Sequence, residues 1–488
     1  MTEAANDLQV AIIGAGFSGI CMAIKLKQAG ITNFRIFEKT EGVSGTWWDN
    51  TYPGAACDVP SHLYSFSFDL NAEWPEKFSK QKDIHDYVDR CIDKFGIRNV
   101  LQGGTTITGA DFDEESGTWQ VHEESGKTWR AKYLVSGVGG LNIPSIPDIP
   151  GIETFDGPLF HSARWDHSID MKGKRVALVG SAASAIQILP QLQPLADRLT
   201  MFQRTPNYIL PRMNYHYSKG MKRAFSAVPF LMRFYRWFLY WRQESRFFMF
   251  SSKESKMGTK VAGLSMKYMR ALVTDPDKQK QLTPDYRLGC KRILISDDYY
   301  PAVNQDNVSI FEKGIERITP NGIVGADGEE QKFDAIIMAT GFRTLDWMDS
   351  FSLKGIGGVD IKDTREDGMM EAHRGVTVAG FPNYFILLGP NTGLGHNSII
   401  FMIEQQVNYI LKCMKKSSKA RYIDVKNDAM DAYNRQIQHE LEDTVWASGC
   451  KSWYRAPNGK IPTLWPHTAT TYWRRMRDLK SAEYNIVK

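Results

Sequence analysis

A chain of 488 residues is too long for one simple hydrophobic core, which sets an expectation of two or three packed units. Its 42% apolar and 24% charged residues are those of an ordinary globular protein. Sixty basic against fifty-five acidic side chains leave a formal +5, with no Lys/Arg run of the kind that tracks nucleic acid, so no nucleic-acid partner is expected. The six cysteines (Cys21, Cys57, Cys91, Cys290, Cys413 and Cys450) are scattered without a C-x-x-C. That pattern argues against a zinc site or a redox-active pair and fits a reduced, cytoplasmic setting. The first apolar run begins after a few polar residues, so no secretory leader is expected.

In chain order, the first unit opens as strand, turn and helix: LQVAIIG, GAGFSG, then ICMAIKLKQAG. Ile20, Ala23 and Ile24 fall at i, i+3 and i+4 and mark the helix's inner face. Gly14-x-Gly16-x-x-Gly19 occupies the turn. The first glycine permits the bend, the second lets backbone approach a pyrophosphate, and the third lets helix pack on strand. NFRIFEK predicts the next strand and ends near Glu38, at the spacing where a carboxylate binds ribose hydroxyls. Together these predict an adenine dinucleotide site. A loop around Trp47–Asp58 follows, then a helix near Asp83–Lys94 and a hairpin from Thr108 to Gly137 with alternating apolar positions.

Phe155–Asp166 (FDGPLFHSARWD) follows a Pro-rich approach (Pro144, Pro147, Pro150) and precedes a fresh strand, RVALVG. It is read as a connection at which one unit can shift against another. The second strand–turn–helix carries Gly180-Ser181-Ala182-Ala183-Ser184-Ala185, in which Ala182 replaces the middle glycine. Arg204 ends the following strand, where an NAD site would carry an acid. A guanidinium there suits a 2′-phosphate and points to NADPH. From Tyr208 to about Pro284 the pattern is helical and rich in aromatic, Met and basic residues. Its most apolar run, Pro229–Phe250, is interrupted by Arg233, Arg236, Arg242 and Arg246 and is no membrane span. It is expected as a partly buried helix roofing an apolar pocket, with a membrane-surface helix as the alternative. KFDAIIMATGF and NYFILLGPN read as strands, Ile399–Met414 and Ala429–Val445 as helices, and an aromatic tail runs through Trp453, Trp465 and Trp473.

Two dinucleotide folds imply two redox partners, and without a C-x-x-C a disulfide-reductase arrangement has no dithiol to serve. The pattern F-x-G-x-x-x-H-x-x-x-W-D at Phe155–Asp166 resembles the fingerprint of flavin monooxygenases, in the version ending in Trp-Asp that marks the Baeyer–Villiger branch. GTWWDNTYPGAACD (Gly45–Asp58) resembles that branch's second signature, G-x-W-x-x-x-x-[FY]-P-G-x-x-x-D. The segment from Gly289, GCKRILISDDYYPAVNQDNV, resembles the one bearing the catalytic arginine, and DAIIMATGF resembles the ATG motif. The chain is thus similar to type I Baeyer–Villiger monooxygenases across nearly its whole length.

That resemblance implies an α/β fold of two Rossmann-like domains, for FAD and NADPH, with a helical insert in the second. The expected division is FAD domain 1–143 and 344–488, NADPH domain 144–196 and 289–343, and insert 197–288. Connections near Pro144–Asp166 and Gly341–Leu345 would form a double hinge. The implied reaction inserts one oxygen atom of O2 beside a ketone carbonyl through a flavin peroxide, giving an ester or lactone. Arg292 is the implied cation beside the flavin, with Asp58 orienting it. Lys291 and Arg204 are the implied contacts to the 2′-phosphate, with Thr205 close by and Gly180, Ser181 and Ser184 in the second nucleotide turn. Trp47 and Tyr52 are expected to shape the loop over the flavin, His161 to serve as a hydrogen-bonded hinge residue, and Trp453 to lie on a loop near NADP and substrate. A hydrophobic ketone is the expected substrate and a monomer or weak homodimer the expected state. Two other readings are open from residues alone: a flavin monooxygenase acting on nitrogen or sulfur, and a non-oxygenating nucleotide-binding flavoprotein.

Overall fold

The computed structural model describes residues 6–344, 351–364, 369–450 and 452–488. Asp7–Ile13 is an apolar run that becomes a strand covered on both faces. It pairs in parallel with Phe34–Phe37 on one side and Thr128–Ser136 on the other, Val10 lying opposite both Phe34 and Tyr133. The helix Phe17–Gln28 packs back on it through Ile20, Ala23 and Ile24, all fully buried. An eight-stranded sheet grows from this start in the order 352–354, 107–113, 118–123, 128–136, 7–13, 34–37, 101–102. Tyr384–Ile386 pairs in parallel with Thr128–Ser136 as the remaining strand. Two strands from beyond residue 350 therefore complete a sheet begun at residue 7.

The second sheet has five strands, all parallel, in the order 308–311, 198–202, 175–179, 335–338, 159–161. In both sheets the glycine turn leaves an inner strand that has the next parallel strand of the chain on one side and a much later strand on the other. That is where the crevice of an open α/β sheet forms.

Three expectations need correction. Ile107–Ser136 is a meander of three strands, not one hairpin, because its last strand is long enough to enter the parallel part of the sheet. Leu159–His161, within the presumed connection, is an edge strand paired with Ile336–Met338. The helical insert expected from residue 197 starts later: Arg198–Phe202 is a central strand, and helices begin at Lys219–Ala227. They continue through Pro229–Glu244 and Lys256–Leu272.

The cysteines bring a further correction. Cys290 and Cys450 are joined in a disulfide across 160 positions, with Cα atoms 6.3 Å apart, while Cys21, Cys57, Cys91 and Cys413 are free and buried. A bond between distant segments leaves no local spacing to read.

Candidate active site

Both dinucleotide turns have the shape that a phosphate needs. Gly14 has φ +96°, and a Cβ there would stand 2.8 Å from the carbonyl oxygen of Gly137. At Gly19 it would stand 1.9 Å from the Gly14 oxygen, so the helix can approach its own turn only through glycine. Gly16 differs: a Cβ would meet nothing nearer than the Gly45 Cα at 3.8 Å, so its backbone faces open space. The helix that follows has Gly16 at its N-cap and no side-chain cap, which leaves its first N–H groups to a ligand. Glu38 is buried at the end of the next strand; Oε2 accepts from Ala15 N at 2.8 Å, and Oε1 from the N and Oγ1 of Thr40 at 3.1 Å. This donor and acceptor set fits a dinucleotide with ribose hydroxyls at Glu38.

The second turn repeats the geometry. Gly180 has φ +121°, and a Cβ would meet the Ala339 oxygen at 2.3 Å. The following helix, Ala183–Leu192, has Ala182 at an uncapped N-terminus; Ala182 is exposed with extended backbone, so its methyl is accommodated outward. Ser181 Oγ donates to the Thr205 carbonyl at 2.9 Å, which brings Thr205 to the turn. Ser184 lies in the helix's first turn, beside the Tyr52 hydroxyl. Arg204 is exposed and stands near Lys291, whose pKa is lowered first by burial and then by the Arg204 charge. Two cations close enough to act on each other are suited to a phosphate, with the Asp285 carboxylate offsetting part of the charge at Lys291.

Asp58 and Arg292 meet although 234 positions separate them. Arg292 Nε and Nη2 both donate to Asp58 Oδ2, at 3.1 and 2.5 Å. The pair is recessed yet accessible, with side chains 41% (Arg292) and 29% (Asp58) exposed. Burial pushes the Asp58 carboxyl upward, but the Arg292 charge and hydrogen bonds outweigh it, with Arg212 adding to them, and the group ends below its usual range. The Asp58 charge in turn raises Arg292 further above its ordinary value. Asp58 is held by its loop: Cys57 N donates to Ser79 O at 3.0 Å, and Ala56 bridges Lys80. Arg292 lies between the bridged Cys290 and the strand Leu294–Ile295, which pairs with Ile209–Leu210.

The same loop touches the second sheet's helix. Gly54 has φ +83°, and a Cβ there would meet the Gln187 carbonyl oxygen at 2.4 Å. Gln187 also accepts from Tyr52 OH at 2.9 Å and donates to Ala56 O at 3.0 Å. Trp47 is buried and donates to Tyr64 OH at 3.1 Å.

His161 stands apart from this pair, at the paired connections. Its Nδ1 accepts from Ala163 N at 3.1 Å, and its ring lies on Phe342. Burial pulls the imidazole down to about 4, against the Gly341 backbone facing it. Ser145 N donates to Gly341 O, and Arg343 N to Ile143 O, each at 2.9 Å, so the two straps run side by side. Leu345, at the end of the second strap, lies outside the described residues.

Trp453 is 48% exposed, beside Tyr454 with centroids 4.3 Å apart. Tyr454 was missed in the sequence. It is buried next to Arg292, and burial raises its hydroxyl to about 12 against that cation. Arg212 was missed too; its Nη2 donates to Cys57 O at 3.0 Å. Neither belongs to a motif, and an isolated Tyr or Arg carries no spacing signal.

Residues 7–353 match the flavin-binding monooxygenase-like family. A Baeyer–Villiger monooxygenase of Pseudomonas aeruginosa is 42% identical over 99% of this chain and 92% of its own length. One from Streptomyces coelicolor is 41% identical over 99% of this chain and 93% of its own. Among solved structures, cyclohexanone monooxygenase from Rhodococcus sp. Phi1 bound to NADP+ superposes with a TM-score of 0.88 at 27% identity, covering 99% of each chain.

Proposed function

The chain belongs to the flavin-binding monooxygenases, in their Baeyer–Villiger branch, and from that membership we propose how its residues divide the reaction. The cofactors are FAD and NADPH; when bound, they activate O2, one atom of which enters beside a ketone carbonyl to give an ester or lactone while the other leaves as water. Arg292 holds the negative charge that gathers on the substrate oxygen as that bond forms. A fixed cation in a recessed site stabilises such charge far better than water does. Arginine suits the task because it keeps its proton near neutral pH. Asp58 positions the guanidinium: with two hydrogen bonds to one carboxylate oxygen, the planar group can pivot without losing its partner. Lys291 and Arg204 hold the 2′-phosphate, with Ser181, Ser184 and Thr205 about the second turn. Gly14, Gly16, Gly19 and Glu38 hold the FAD, and Trp47 keeps the loop over it. Trp453 covers the NADPH side of the site.

The observation that carries this reading is the Arg292–Asp58 pair, assembled across 234 positions in the very residues the two family signatures single out. Domain division follows the sheets: the first and last parts of the chain form the FAD domain, the middle the NADPH domain, and 219–287 the insert. The substrate is a hydrophobic ketone, in keeping with the aromatic rings of Phe250 and Trp446, stacked 5.6 Å apart beside the Gly289 turn. We propose a monomer or weak homodimer working in the cytoplasm. The test is NADPH- and O2-dependent turnover of a ketone panel with products weighed. Arg292→Ala should keep its FAD spectrum and lose ester formation by about a hundredfold or more. Retained ester formation would place the cation elsewhere, and amine oxygenation without any ester would remove the Baeyer–Villiger assignment for this chain.

A further inference from the structure

The helix Pro229–Glu244 faces the opposite way from the one its composition implies. Its inward side buries Met232 and Leu239 beside polar anchors. Arg236 Nη1 donates to the carbonyls of His62 and Leu63 at 2.7 and 3.2 Å, and Glu244 accepts from Asn397 at 2.7 Å and from the N of Ala469 at 3.1 Å. Tyr240 OH bonds Thr470 at 2.8 Å. The outward side carries Phe230, Phe234, Trp237 and Trp241, 70%, 54%, 56% and 47% exposed, at i, i+4, i+7 and i+11. Phe238 and, in the turn beyond, Phe248 add 48% and 62% exposure. The expected roof over an apolar pocket is therefore corrected: the rings point to solvent, and a patch of this kind on a globular protein marks a contact surface.

We propose that this face docks on an anionic phospholipid bilayer, the helix lying in the plane of the interface. The charge around it selects that occupant. From Lys219 to Gln243 the segment carries six Lys and Arg, of which Arg236 is turned inward, and no Asp or Glu, and the acid that follows, Glu244, is also turned inward. A surface cleft of about 650 Å³ opens on the preceding helix, lined by Lys219, Lys222, Arg223, Ser226, Ala227 and Glu73. Basic flanks with exposed Trp and Phe are the composition of an interfacial helix, and anionic headgroups complement them. A second copy of the chain is a poor occupant, because a two-fold contact would set this positive rim against itself. Among the described residues no helix is long and apolar enough to cross a membrane, so the contact is peripheral. The placement has a use for the chemistry: Phe250, a few residues beyond the stripe, packs on Trp446 and against the Gly289 turn that leads into Arg292. An apolar ketone dissolved in lipid would meet the enzyme on its insert.

The experiment is flotation of the FAD-loaded full chain with phosphatidylcholine vesicles and with vesicles containing phosphatidylglycerol. Binding to the anionic vesicles should exceed binding to the neutral ones by on the order of tenfold and fall with added salt. A Phe234→Ser/Trp237→Ser variant should keep its FAD and its turnover of a water-soluble ketone while losing most of that binding. The proposal is overturned if the parent stays in the unbound fraction with both vesicle types, or if the variant floats as well as the parent. A parent that sediments as a dimer, with the variant monomeric and neither bound to lipid, would give the face to a second copy instead.

Discussion

Arg204 and Lys291 are the residues we propose to decide which nicotinamide cofactor is used, because the dinucleotides differ at one phosphate and this pair of cations is suited to it. Arg204→Ala should raise the KM for NADPH by about ten- to a hundredfold and leave that for NADH nearly unchanged. Initial-rate measurements with both cofactors decide it, and equal effects would remove the 2′-phosphate from this position. At this scale the sequence was informative where chemistry is concentrated in a motif. Glu38, Arg204 and the six glycine-turn positions were readable from strand, turn and helix alone. Asp58 and Arg292 were readable only through the resemblance, since nothing in their own neighbourhoods shows that they meet. Tyr454, which shares the buried side of Arg292, had no signal at all.

Among the elements, the contact between the Gly45–Asp58 loop and the helix Ala183–Leu192 rests on a residue without a side chain. At Gly54 a methyl group would drive into a backbone oxygen at 2.4 Å in a left-handed conformation, so neither partner can yield cheaply. Gly54→Ala should cost about 1–3 kcal/mol of stability and shift Asp58 from Arg292. The ester formed per NADPH consumed should fall several-fold, with hydrogen peroxide making up the difference. An unchanged yield would mean that the loop and helix need not touch during turnover. Elements with strong periodicity or turn chemistry were legible, among them the strand Asp7–Ile13 and the helices Gln81–Lys94 and Ile399–Lys416. What periodicity cannot give is direction. The helix Pro229–Glu244 has a clear stripe, yet a stripe alone does not say that its aromatic side faces solvent while Met232, Leu239 and the polar anchors face the protein. The pairing of Tyr384–Ile386 with Thr128–Ser136 is likewise a property of the assembled sheet.

For the molecule as a whole, three buried histidines set the response to acid. Burial lowers His62, His161 and His373 each from 6.5 to about 4, the neighbouring Arg236, Arg164 and Arg374 adding to the effect. Between those values the unfolded chain binds three protons that the folded chain refuses. Asp424 acts in the opposite sense, since burial raises it to about 7 and the folded chain holds its proton where the unfolded chain loses it. The balance is about two protons in favour of the unfolded state, so stability should fall from pH 6.5 toward 5 at up to about 3 kcal/mol per unit. Urea midpoints near pH 7 and pH 5 test this, and equal midpoints would mean that the imidazoles are already charged when folded. The Cys290–Cys450 bridge sets a different limit, one of reach. Trp453 follows Cys450 by three residues, and three extended residues span at most about 11 Å. While the bond holds, the tail is on a short leash pinned 6.3 Å, Cα to Cα, from the residue two places before Arg292. It can swing within that reach but not depart, and only reduction of the bond would let it travel farther.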